Sequence, residues 1–164
     1  MEPYPWLAVS EGQALRFFFE HLRDVSEDSG VAEPELLYNA SVLAHFATTS
    51  SASKDFPSTP TTLNTVFNLF VMDRSQHADP DIMEAAASQC LFLTGFFGAQ
   101  SHGRHNVRWY ATLGASFYDQ AAHASRDASR AKMMNTMAVR FEFWRRQQWR
   151  LQKELRELSL LFGR

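Results

Sequence analysis

The sequence predicts an all-α protein, a single domain over residues 1–164 built as a largely antiparallel bundle of about six helices and closed by a long C-terminal helix. Three observations carry that expectation. Apolar residues recur at three- and four-residue spacing in one segment after another, and no alternating run or Asn-Gly turn argues for strands. Proline and capping residues stand where these segments begin, and glycine where they stop. At 164 residues the chain can withdraw roughly 70% of its unfolded surface from water in one core, without disulfides or metals.

The first helix is expected after Ser10, a capping residue, with Leu15, Phe18, Phe19, Leu22 and Val25 on one face and Gly30 of "SEDSG" as the stop. A second starts at Pro34 and turns Leu36, Leu37, Ala40, Leu43, Ala44 and Ala47 inward, with His45 on or beside that face. Residues 48–59, "TTSSASKDFPST", are poor in apolar content and read as a loop. Pro60 opens a third helix carrying Leu63, Val66, Phe67, Phe70 and Val71.

Asp79-Pro80-Asp81 combines a capping side chain, a first-turn proline and a carboxylate at the positive end of the helix dipole. The helix it starts runs from Asp81 to about Phe97 and is apolar nearly all round from Cys90, which marks it as the buried, central one. A fifth helix begins at Asn106 and steps through Val107, Tyr110, Gly114, Phe117 and Ala121. Gly114 costs a helix about 1 kcal/mol relative to alanine, so close packing there is expected.

The last segment, residues 126–164, has the most regular pattern. Met134, Met137, Phe141, Trp144, Gln148, Leu151, Leu155, Leu158 and Phe162 alternate three- and four-residue steps, a coiled-coil-like seam with one polar member. One unbroken helix over 127–162 would be about 54 Å long, against roughly 40 Å for the width of a compact domain of this length. The overhanging Leu151, Leu155, Leu158 and Phe162 would then need a cover, and a second copy is the expected one. A break near "NTMA" would instead fold the helix back.

Charge is unevenly placed. Residues 1–101 hold four Lys/Arg against thirteen Asp/Glu, a net of −9, and residues 102–164 hold twelve against five, a net of +7. Either the two parts neutralise each other within the chain, or the basic part meets an acidic partner, another subunit or nucleic acid. The single cysteine, Cys90, reads as a buried reduced thiol. With no signal-peptide pattern in "MEPYPWLAVSEG" and no span apolar enough for a membrane, the expected location is the cytoplasm.

"CLFLTGFF" followed by "WYATLGASFYDQAA" resembles a set of uncharacterised bacterial all-helical proteins, in which an (L/F)-F-x-x-G-F-F helix end precedes a Y-x-x-L-G-x-x-x-Y helix. The resemblance spans roughly residues 88–122 and falls on Phe92, Gly95, Phe96, Phe97, Tyr110, Leu113, Gly114 and Tyr118. It implies a helical fold and no particular reaction. Physically, Gly95 lets the chain turn or a neighbouring helix approach, Phe96 and Phe97 plug the bundle end, and Gly114 makes room for an aromatic ring between Tyr110 and Tyr118.

No catalytic constellation is indicated. His102 and His105 lack carboxylate or thiol companions, and Arg104 between them repels a cation, so no metal is expected. There is no GxSxG elbow and no phosphate loop, so neither an enzyme nor a cofactor is expected. The leading expectation is a non-enzymatic cytoplasmic interaction or scaffold protein that forms a homo-oligomer through its last helix. A second reading is a pocket for a small apolar or aromatic ligand between helices 81–97 and 106–124, lined by the motif residues. A third is nucleic-acid binding through "RFEFWRRQQWRLQKELR", which the chain's net charge of −2 disfavours.

Overall fold

The structure is a computed structural model that describes residues 11–52, 79–96 and 107–162, with side chains described over 12–47, 79–96 and 107–157. It is all-α. Among the described residues there are six α-helices and no strand: α1 Glu11–Val25, α2 Glu33–Ala52, α3 Pro80–Thr94, α4 Val107–Ala124, α5 Ala128–Val139 and α6 Phe141–Phe162. Packing resolves two compact units, residues 1–59 with 147–164, and residues 60–146. Ser10, the helix expected from Pro60, Phe97, His77, His102 and His105 lie outside the described residues.

In the first unit α1 packs on α2. Ala14, Phe18 and Leu22 are buried, one residue per turn, while Leu15, Phe19 and Val25 flank them half-buried. The helix ends as Ser26 donates both its backbone N–H and its hydroxyl to the Leu22 carbonyl. A single 3-10 turn, Glu27–Ser29, follows, and Gly30 sits in the left-handed region at φ 61° and ψ 40°. This is the stop that the sequence signals. A Cβ on Gly30 would meet nothing within 4 Å, so Gly30→Ala is expected to cost about 1–2 kcal/mol from backbone strain alone. Urea titration checks it, and an unchanged midpoint would contradict it.

Two expectations for α2 are corrected. Leu37 is 45% exposed, because at 100° per residue it lies about 120° round the helix from Leu43, the centre of the buried face. The helix also runs on to Ala52, through serines and threonines whose propensity penalty of a few tenths of a kcal/mol each is too small to end it. His45 is exposed, its ring edge-on to Phe46 at 5.4 Å.

In the second unit α3 packs on α4, and α4 on α5. The α3 start is as the sequence predicts: the Asp79 carboxylate accepts from the backbone N–H of Asp81 at 2.9 Å and of Ile82 at 3.4 Å, with Pro80 in the first turn. Asp127 caps α5 in the same way through Ser129 and Arg130. Met83, Ala86, Ala87, Cys90, Leu91 and Thr94 form the buried stripe of α3, and Tyr110, Ala111, Gly114, Phe117, Tyr118 and Ala121 that of α4. Arg130 of α5 reaches across to Asp81 and Glu84 of α3, at 2.7 Å each.

The expected single helix over 127–162 is two helices. Arg140 stands between α5 and α6 with φ −104° and ψ 20°. Its N–H still donates to Thr136 and its carbonyl still accepts from Trp144, so the ladder bends at one residue. The break falls just beyond "NTMA". The seam is divided farther on, within α6 between Arg146 and Gln147: Met134, Met137, Phe141 and Trp144 belong to the second unit, and Gln148, Leu151 and Leu155 to the first.

Candidate functional site

Every described seam side chain is buried in the single chain. Met134, Met137, Trp144, Gln148 and Leu151 are at most 1% exposed, and Phe141 and Leu155 are 3% exposed. The side chains of Leu158 and Phe162 lie outside the described residues. Leu151 and Leu155 are therefore corrected as a free self-association seam: residues 147–164 complete a unit with residues 1–59, and the overhang argument fails with the continuous helix it assumed. Gln148 is buried with neither amide atom hydrogen-bonded. Its single polar place in the seam is therefore a cost to that core.

The motif residues come together as packing. Phe96 is buried and stacks on Phe92, with ring centroids 5.5 Å apart and planes 10° apart. Gly95 has φ −94°, a conformation open to any residue, so turning freedom is not what glycine supplies there. Its N–H closes α3 on the Leu91 carbonyl. Tyr110, Gly114 and Tyr118 line the buried face of α4, and Leu113 is half-buried beside them.

Gly114 is closely packed by its neighbours. A Cβ there would lie 2.6 Å from Cζ and 2.8 Å from Cε2 of Phe141, and 2.7 Å from Cβ of Cys90. The aromatic ring that Gly114 makes room for is thus Phe141 of α6, tilted against Tyr118 at 6.1 Å. It fills the space directly beside Gly114.

Cys90, beneath this contact, is 0% exposed, and burial pushes its thiol up to about 12. Burial first, and the Cys90 charge second, also raise Tyr110. A protonated thiol without access is a poor nucleophile. Native protein is expected to resist Ellman's reagent and to titrate one thiol per chain in denaturant; fast native labelling would show that this packing opens.

Among the described residues of the second unit, several other polar groups are held by partners within it. A cleft of about 450 Å³ is lined by Pro80, Ala124, Ser125, Arg126, Asp127 and Arg130, but Arg130 is held by two carboxylates and the Asp127 side chain by its own helix start. Arg145 grips Glu142 with two bonds of 2.8 and 2.6 Å and donates to the Thr94 carbonyl at the end of α3. Those bonds hold the Glu142 carboxyl below its usual range. His123 lies beside Asp119, and His21 beside Phe17. Among the described residues no three His, Cys, Asp or Glu groups are placed to hold a metal, and no helix is long and apolar enough to cross a membrane.

The surface of α6 offers more. While Phe141, Trp144, Gln147, Gln148, Leu151, Gln152 and Leu155 are buried, Arg146, Trp149, Arg150, Lys153 and Arg156 are exposed on the opposite side. Trp149 keeps 42% of its surface, with the Lys153 ammonium 5.6 Å from its ring centroid. Arg150 donates to Gln147 of its own helix. The sequence placed Arg145 and Lys153 one turn either side of Trp149; Lys153 meets it, whereas Arg145 turns to Glu142 and Thr94. What the sequence did not single out is the tip between α1 and α2, where Asp24, Glu27, Asp28 and Glu33 are all exposed. The signal for it was the run "EDSG" itself, whose glycine marks the stop of the first helix.

Comparison of the chain with family models, with curated proteins and with solved structures returns no match.

Proposed function

We propose that this protein is a non-enzymatic interaction or scaffold protein of the cytoplasm that associates with itself through its last helix. The observation that carries the reading is the division of α6 into two faces. One holds the chain's own core, and the other presents a half-exposed tryptophan among the exposed cations Arg150, Lys153 and Arg156. Tryptophan and arginine are the residues most enriched where protein interfaces concentrate their binding energy. Because Leu151 and Leu155 are committed internally, self-association uses the outer face of α6 and not its seam. The buried, reduced Cys90 suits a reducing compartment. The test is sedimentation velocity across a wide concentration range, in which a sedimentation coefficient rising with concentration supports the reading and a monomer throughout rejects it.

A further inference from the structure

We propose that the acidic α1–α2 tip of one copy docks on the cationic outer face of α6 in a second copy. The proposal rests on the self-association reading and names its surfaces. Arg130 joins the basic part of the chain to the acidic part through Asp81 and Glu84. Glu20, Asp24, Glu27, Asp28 and Glu33 on one side, and Arg150, Lys153 and Arg156 on the other, are exposed and take no part in the ion pairs found among the described residues.

Both surfaces suit a protein partner. The tip is held in shape by the 3-10 turn Glu27–Ser29 and the left-handed Gly30, so its carboxylates project from a fixed scaffold. Between residues 20 and 33 it carries five carboxylates and one cation, Arg23, whose guanidinium lies 5.8 Å from the Phe19 ring centroid. Between residues 147 and 157, at 100° per residue, Trp149, Arg150, Lys153 and Arg156 fall within an arc of about 120°, and Glu157 shares it. Five carboxylates with one cation thus face three cations with one exposed carboxylate. That mixed pattern fits a patterned protein surface better than the uniform charge of a nucleic-acid backbone, and the chain itself supplies the matching pattern. Each copy carries both halves, so two reciprocal contacts can close a symmetric pair.

The experiment is sedimentation velocity on the full chain in about 0.05 M and about 1 M salt, where the screening length falls to roughly 3 Å. Two variants are run beside the wild type: Arg150→Glu with Lys153→Glu, and Asp24→Lys with Glu27→Lys. Circular dichroism verifies that each is folded, and the glutamine versions Arg150→Gln and Lys153→Gln stand in if a reversal is not. The expected result is association of the wild type that weakens at least about tenfold in high salt, loss of association in each variant alone, and a one-to-one complex when the two reversed variants are mixed. An oligomer indifferent to salt and to both reversals would overturn these surfaces while leaving self-association standing. A wild type monomeric throughout would overturn both. A wild type that assembles only after single-stranded oligonucleotide is added would overturn the second copy as the occupant.

Discussion

Replacing Leu151 and Leu155 together with glutamate is expected to unfold the unit that residues 147–164 form with residues 1–59, instead of separating subunits. Both leucines are at most 3% exposed. An unpaired carboxylate in such a place costs several kcal/mol, and each substitution also forfeits the roughly 2 kcal/mol of a buried leucine side chain. Two of them approach the 5–15 kcal/mol by which whole domains are stable. Arg150→Glu with Lys153→Glu, on the outer face of the same helix, should change the urea midpoint little, since exposed substitutions usually stay within about 0.5 kcal/mol each. The contrast between the two double variants in urea titration and limited proteolysis is the measurement. A leucine variant that keeps the wild-type midpoint and changes only its mass in light scattering would return these side chains to an inter-subunit seam.

The same helix shows what periodicity can and cannot convey. The three-and-four spacing from Met134 to Leu155 marks the residues that are buried, because a helix turns by a fixed angle and its apolar face must leave water. It does not convey against what they are buried. The turn at Arg140 has no proline or glycine to announce it, and a seam continuous in sequence is shared between two packing units in space. The cap at Asp79 and the stop at Gly30 were legible in advance for the opposite reason: each is a local arrangement complete within a few residues. For the surface, the uneven charge was plain from the sequence, but whether acid and base meet inside the chain depends on tertiary placement. The exposed carboxylates gathered at the α1–α2 tip could be recognised only from structure.

Gly114 joins both kinds of information and leads to the sharpest stability prediction. Judged on helix propensity alone, Gly114→Ala should stabilise α4 by about 1 kcal/mol. The packing demands the opposite sign, because the new methyl would stand 2.6 Å from the Phe141 ring and 2.7 Å from Cβ of Cys90. The ring can shift by tenths of an ångström, but Cys90 Cβ is fixed to its helix. Overpacking of this kind costs about 1–3 kcal/mol, so Gly114→Ala is expected to be destabilising overall and Gly114→Leu more so. Phe141→Ala, which empties the same space, should cost about 3–5 kcal/mol. The two changes should not add: with the ring gone, alanine at 114 loses its closest clash, and the double variant should be more stable than the sum of the singles predicts by about 1 kcal/mol. The contact with Cys90 remains, which keeps the rescue partial. Urea unfolding of the four proteins in the cycle measures this directly. A stabilising Gly114→Ala, or strict additivity with Phe141→Ala, would mean that α3, α4 and the start of α6 do not converge on this glycine.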